Sequence, residues 1–313
     1  MIERNSDYFG EKPSLERVRF NIVPEATVRA LELRKGSADA ALNSLTPDMV
    51  DVLGRDPKLA VLQQPGTIYM YLATNLEDPV LRHREVRQAI AYAIDREPII
   101  RHLWRNQARP AESLLPPNHW AFEPDTRHYP HDPERARALL DAAGLKPGPD
   151  GVRCVLTLKT STEETSRLVA AILQEQLRPV GIQLNLRSYE FATFYADIVK
   201  GQFQLYTLRW IGANNDPDIF EYVFHSQKIP PHGANRGRYR NPEVDRLIDQ
   251  ARVELDLEKR KQLYSRVQKI IAEDLPYIHL WYFDNVCVYN RRLANVRLYP
   301  SGDYDFLREV RVQ

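Results

Sequence analysis

The chain has 313 residues, 43% of them hydrophobic, which is long enough to bury a sizeable core and to form two lobes. Its 43 Lys and Arg against 42 Asp and Glu leave a formal charge of +1, so it lacks the basic footprint of a nucleic-acid binder and any polybasic run for a membrane face. No apolar run approaches the roughly 18 residues that a membrane-crossing helix needs. The start, Met1-Ile2-Glu3-Arg4-Asn5, lacks the basic, apolar and small-residue order of an export signal. The two cysteines, Cys154 and Cys287, form no CxxC or Cys/His cluster, so neither a zinc nor a redox site is expected. Both lie in apolar, strand-like runs and are expected to be free, buried thiols.

In chain order, residues 1–75 predict strand, helix, strand, helix, strand. Val18, Phe20 and Ile22 alternate as one half-buried strand face. A helix from Thr27 stops at Gly36, and a short strand spans 38–42. Thr46 then caps a helix with Pro47 at its first position. Segments 59–62 and 68–73 are extended. Val86, Ala89, Ile90, Ala93 and Ile94 mark the buried face of a helix, and Asp95 caps another with Pro98 in its first turn. Residues 106–131, rich in Pro and His, predict a long surface loop.

Asp132-Pro133 opens a helix that Gly144 closes. After an apolar strand at 152–159, Ser161 and Glu164 have capping-box spacing ahead of a helix to Arg178. Ile182, Leu184 and Leu186 alternate as a strand. A helix over 191–200 ends at Gly201, and 203–210 is extended. Asn241-Pro242 and Asp256 start two more helices, and 278–289 is a long extended run. Alternating strands and helices give an α/β class. The runs 68–75 and 278–289 bracket everything between them, as two strands entering and leaving a lobe on a hinge would.

Several segments match one family in its own order. Arg4-Asn5-Ser6-Asp7-Tyr8-Phe9-Gly10 resembles the RNPDYWG segment of family 5 solute-binding proteins, the dipeptide, oligopeptide and nickel receptors of ABC importers. Gly36-Ser37-Ala38-Asp39 resembles the family's G-x-x-D turn, and Tyr71-Leu72-Ala73-Thr74-Asn75 its hinge strand. VRQAIAYAIDRE at 86–97, the D-P-x-x-A-x-x-L-L-x-x-A-G helix from Asp132 to Gly144, the stretch from Trp210 to Pro217 and Asn241-Pro242-Glu243-Val244-Asp245 complete the order. The resemblance implies a periplasmic-binding-protein-like α/β fold (type II, family 5) with two lobes, one complete and one truncated. The expected division is a partial first lobe over 1–75, a complete second lobe over 76–282, and a return hinge strand with the tail of the first lobe over 283–313. Family members carry a large portion before the RNPDYWG-like segment, so the chain is expected to be a fragment. The resemblance implies a periplasmic or lipid-anchored extracellular parent. Its implied partners are a peptide or peptide-like solute and a membrane-embedded ABC permease, with no cofactor and no nucleic acid. Open strand edges in a partial lobe would favour self-association.

The stretch Trp210-Ile211-Gly212-Ala213-Asn214-Asn215-Asp216-Pro217-Asp218 reads structurally as a strand end, a turn and a helix start, with Asp216 as N-cap and Pro217 first in the helix. Functionally, the carboxyl ends of strands in an open α/β sheet are where ligands dock. The resemblance favours the second reading, because that loop lines the family's peptide cleft. Trp210, Ala213, Asn214, Asp216 and Asp218 are therefore ligand candidates. Tyr69, Tyr71 and Asn75 either pack in the sheet or turn polar tips to the cleft. In dipeptide and oligopeptide receptors an Asp after the Trp-bearing strand holds the ligand's α-amino group. Alignment on Trp210 and Asp216-Pro217 puts Ala213 there, and Lys159-Thr160 stands near the family's carboxylate-binding Arg. A free N-terminus is thus not expected to be anchored as in those relatives, unless Asp216 or Asp218 supplies the counter-charge.

Other candidates have plain structural readings. His119, His128 and His131 fit no metal motif. Glu273, Asp274 and His279 follow a helix end, and 236–240 reads as a solvated turn. No G-x-S-x-G, P-loop or H-E-x-x-H occurs. A peptide receptor that is not an enzyme is expected. A nickel, haem or other solute receptor on the same fold, or a hydrolase, are the alternatives.

Overall fold

The computed structural model describes residues 1–211 and 216–313. The chain opens with two short strands, β1 (Ile2–Glu3) and β2 (Arg17–Val18), paired antiparallel. Helix α1 (Ala26–Lys35) stops where Gly36 turns left-handed at φ 80°. Strand β3 (Ala40–Leu42) leads to α2 (Pro47–Leu53), whose Met49 N–H is capped by the Thr46 hydroxyl. Strand β4 (Leu59–Thr74) is one continuous element of 16 residues. Helix α3 (Arg84–Ala93) and the short α4 (Arg96–Pro98), capped by Asp95, run into a π-helical turn over Ile99–Leu103. Then come β5 (Ala108–Pro110), α5 (Pro133–Ala142), β6 (Cys154–Ser161), α6 (Glu164–Leu177), β7 (Ile182–Tyr189) and α7 (Phe191–Lys200). The chain continues through β8 (Leu205–Trp210), α8 (Ile219–Phe224), α9 (Pro242–Val253) and α10 (Leu257–Asp274), then β9 (Tyr277–Asn290), β10 (Leu293–Ala294) and β11 (Arg311–Val312).

Seven strands form the main sheet in the order β3-β9-β4-β8-β6-β7, with β5 on the same side of β9 as β3 but further toward its start. The ladders β4–β9 and β4–β8 are antiparallel, whereas β8, β6 and β7 run parallel. Because side chains alternate along a strand, β4 feeds both faces. Met70 and Leu72 join one core with Leu156 and Leu158 of β6 and Val169 and Leu173 of α6. Tyr69, Tyr71 and Ala73 join the opposite core with Phe220 of α8, Leu247 of α9 and Tyr264 of α10. Helices on both faces explain why these strands are so apolar.

The β4–β9 ladder reaches beyond these two cores. Its register breaks between Pro65 and Ile68. Past the break, Leu59, Val286 and Val288 pack with Leu33, Val50 and Leu53, while Cys287 packs with Leu42, Leu298 and Phe306. Gly66 lies in the break, where a Cβ would come within 2.6 Å of the Phe283 carbonyl oxygen.

Three sequence expectations are corrected. The strand face of Val18, Phe20 and Ile22 ends at Val18, because β1 offers only two residues to pair with, and Ile22 is 96% exposed. The segment 106–131 is not a surface loop. It carries β5 and buries Ala111, Ser113, Leu114 and Leu115, with Tyr282 Oη donating to the carbonyls of Ser113 and Leu115. Helix α6 is capped by Glu163, not Ser161, since the Glu163 carboxylate accepts from the Thr165 and Ser166 N–H groups.

Candidate ligand-binding site

The three parallel strands end together. Ser161 of β6 lies opposite Tyr189 of β7, and Trp210 closes β8 opposite Tyr69 of β4, which in turn pairs with Tyr282 of β9. This edge of the sheet adjoins the register break, so it faces the cores on the far side of Pro65 and Ile68. Carboxyl ends of parallel strands present loops and free backbone groups, which makes them the usual docking edge of an open α/β sheet.

Aromatic rings pack beneath this edge, and of them Trp210, Tyr195 and Tyr222 reach solvent. Tyr71 stacks on Tyr277 with ring centroids 4.1 Å apart, and lies 5.6 Å from Tyr69 and 6.5 Å from Trp210. Tyr222 meets Trp210 edge-on at 6.2 Å. Tyr195, on α7, and Tyr222 are partly exposed, whereas Tyr69, Tyr71 and Tyr277 are buried. Burial, followed by neighbouring phenols, raises the pKa of Tyr71 and Tyr277 well above the usual range, so both hydroxyls stay protonated.

Among these rings projects Arg236. Its guanidinium carbon sits 5.2 Å from the Tyr195 ring and 5.2 Å from the Trp210 ring. Nη2 donates to Tyr195 Oη at 2.9 Å and Nη1 to Tyr71 Oη at 3.5 Å. The residue is only 7% exposed. Segment 236–240 is thus no solvated turn at its start. Asn235 pins it, donating to the carbonyls of His225 and Tyr239 and accepting from the Tyr239 N–H. The Gly237 carbonyl accepts from the Leu76 N–H.

The predicted site residues fall into distinct roles. Tyr69 and Tyr71 turn their polar tips inward, Tyr69 to His279 Nδ1 and Tyr71 to Arg236, because that face of β4 is covered by helices. Asn75 is buried and ties the end of β4 to the carbonyls of Gly201 and Phe203. Lys159 pairs with Asp197 at 2.7 Å, beside the Tyr189 ring. Asp216 is not an N-cap. It takes two hydrogen bonds from Arg260 and one from the Asp218 N–H, and α8 starts only at Ile219. Asp218 accepts from Tyr264 Oη at 3.2 Å and faces Arg252 at 3.5 Å. Ala213 and Asn214 lie outside the described residues. Sequence reasoning missed Arg236, Tyr195, Tyr206 and Tyr277. The Asn-x-Gly spacing at 235–237 was the one local signal, since it marks a tight turn.

A family profile described as bacterial extracellular solute-binding proteins, family 5 middle, matches residues 1–230. The chain belongs to family 5 of these solute-binding proteins. A probable di/tripeptide-binding protein 5 of Pseudomonas aeruginosa is 32% identical over 304 residues, 97% of this chain and 57% of that protein. A dipeptide-binding protein of Escherichia coli is 29% identical over 269 residues, 86% of this chain and 50% of that protein. The solved dipeptide-binding protein of Pseudoalteromonas sp. SM9913, in complex with Met-Leu, superposes with a TM-score of 0.81 at 28% identity, covering 99% of this chain and 61% of that one. This family 5 chain therefore spans a little over half the length of the curated relatives it matches. Its mixed α/β architecture is that of family 5 binding proteins. Among the described residues, no helix is long and apolar enough to cross a membrane.

Proposed function

We propose that the protein is the solute-binding component of an ABC importer and takes peptides or peptide-like solutes for uptake. The observation that carries this is the group of accessible rings, Trp210, Tyr195 and Tyr222, beside the carboxyl ends of β6, β7 and β8, on the edge that faces the register break in the β4–β9 ladder. An extended peptide offers apolar side chains to such rings and backbone groups to strand ends. In this reading the solute is bound by Trp210, Ala213, Asn214, Asp216 and Asp218. Tyr69, Tyr71 and Asn75 hold the frame beneath, and Lys159 flanks it.

The division into a first lobe (1–75 and 283–313) and a second lobe (76–282) is part of the proposal. Separate packing on either side of Pro65 and Ile68 supports a joint within the paired strands. A ligand favours closure only by its differential affinity for the closed state. The working partner is a membrane-embedded permease, and the location is periplasmic or lipid-anchored extracellular. The similarity to peptide-binding relatives supports a receptor over an enzyme. The test is to incubate the intact protein with a peptide library and identify by mass spectrometry what stays bound. Intact retained peptides are expected. Cleaved products, or a bound metal or porphyrin without peptide, would overturn the proposal.

A further inference from the structure

The cations at the sheet edge are not equivalent. Lys159 has Asp197, and Arg260 has Asp216. Arg236 is more deeply buried than either, and among the described residues no carboxylate lies within ion-pair distance of it. A guanidinium carries five N–H donors, yet the acceptors it meets are two neutral phenols, one of them at the long distance of 3.5 Å. The hydroxyls of Tyr206 and Tyr277 cluster with that of Tyr71 beside it, and among the described residues Trp210 Nε1 is buried without a hydrogen-bond partner. Burying a charge without a counter-charge is costly. Such a group persists where the surrounding structure holds it in place.

The surroundings do so here. Asn235 fixes the turn through three hydrogen bonds. At Gly237 a Cβ would stand 2.7 Å from the Thr74 carbonyl oxygen, so the turn is pressed directly against the end of β4. The Trp210 ring lies 5.2 Å from the guanidinium, and Tyr195 stands beside it through the hydroxyl that accepts from Nη2. A planar cation held this way is preorganised for a planar anion.

We propose that Arg236 receives a carboxylate of the bound solute beside Tyr195 and Trp210, an inference that rests on the peptide-receptor reading. It gives Arg236, and not Lys159, the role of charge-selecting residue. The carboxylate comes either from a peptide C-terminus or from an acidic side chain, and two arms of one experiment separate these.

The intact protein is offered an equimolar library of tripeptides and tetrapeptides, as free acids and as C-terminal amides, and retained species are quantified by mass spectrometry. A preference of about tenfold or more for the acids assigns the C-terminus. In the second arm, amidated peptides that differ only by Glu or Gln at one position are compared. A similar preference for Glu assigns the side chain. Arg236→Gln should abolish whichever preference is found, and Arg236→Lys should restore part of it. Both arms can be run on wild-type protein alone, so a misfolded variant does not remove the test. Peptides retained without preference in either arm would overturn this inference and leave the receptor function standing. So would an Arg236→Gln protein that loses acids and amides equally. Retention of no peptide would overturn both.

Discussion

Asp216 meets Arg260 through two hydrogen bonds, 2.8 and 2.7 Å long, and so ties the start of α8 to α10. The Arg260 hydrogen bonds hold the Asp216 carboxyl below its usual pKa. A depressed carboxylate pKa stabilises the fold above the unfolded value and loses that contribution as pH falls through the folded value. Asp216 is half exposed, so the contribution is discounted to about 0.5–1 kcal/mol. Urea unfolding should show Asp216→Asn less stable by that amount at pH 7, with the gap shrinking below about pH 4. An unchanged gap at low pH would contradict the pairing.

The same pair bears on selectivity. With Asp216 committed to Arg260, and Asp218 facing Tyr264 and Arg252, neither is free to serve as counter-charge for a ligand's ammonium. Ala213 stands where dipeptide-receptor relatives are expected to carry the amine-binding Asp. Calorimetry on a retained peptide should therefore show less than about a tenfold preference for the free amine over its N-acetylated form. Ala213→Asp should raise that preference. A tenfold or greater wild-type preference would contradict this account.

His279 gives a pH dependence of the opposite origin. Desolvation, then repulsion from Arg96, lowers its pKa to about 3. Unfolded histidine titrates near ~6.5, so above that pH both states are neutral and the group contributes no slope. Between about pH 6.5 and 3 only the unfolded chain takes up the proton, and stability falls by up to about 1.4 kcal/mol per pH unit. Wild-type protein should lose roughly 2 kcal/mol more than His279→Gln between about pH 6.5 and 5. Equal losses would mean that the imidazole is protonated in the fold.

Gly237 tests how the Arg236 turn is held. Gly237→Ala places a methyl 2.7 Å from the Thr74 carbonyl oxygen, a backbone atom in a paired strand that cannot move aside freely. The expected destabilisation is about 1–3 kcal/mol by chemical unfolding. Unaltered stability would show that the turn is free to lift from β4.

The sequence made local features legible and left distant ones hidden. Asp132, Asn241 and Asp256 each cap the helix they precede, and Gly36 and Gly201 each end one, because capping chemistry lies within a few residues. The run that became β9 and the second half of β4 were visible because both faces are buried there, whereas exposed residues at 61 and 63–65 made β4 read as two segments, 59–62 and 68–73. Arg236 was not visible. Its surroundings come from Tyr71 on β4, Tyr195 on α7 and Trp210 on β8, and no local pattern announces that four such distant residues meet. Pro and His in 106–131 suggested solvent, yet that segment is pinned by Tyr282 from β9, again a contact far along the chain. Tyr69 and Tyr71 were ambiguous in sequence because a buried tyrosine and a cleft tyrosine have the same period along a strand.

Backbone hydrogen exchange of the intact protein, with and without a peptide captured from the library, tests the central claim most directly. The account predicts that bound peptide slows exchange in 189–195, 208–211 and 234–238, the segments that meet at Trp210 and Arg236. Protection confined to other surfaces, with these three segments unchanged by saturating peptide, would contradict a ligand site at the carboxyl ends of β6, β7 and β8.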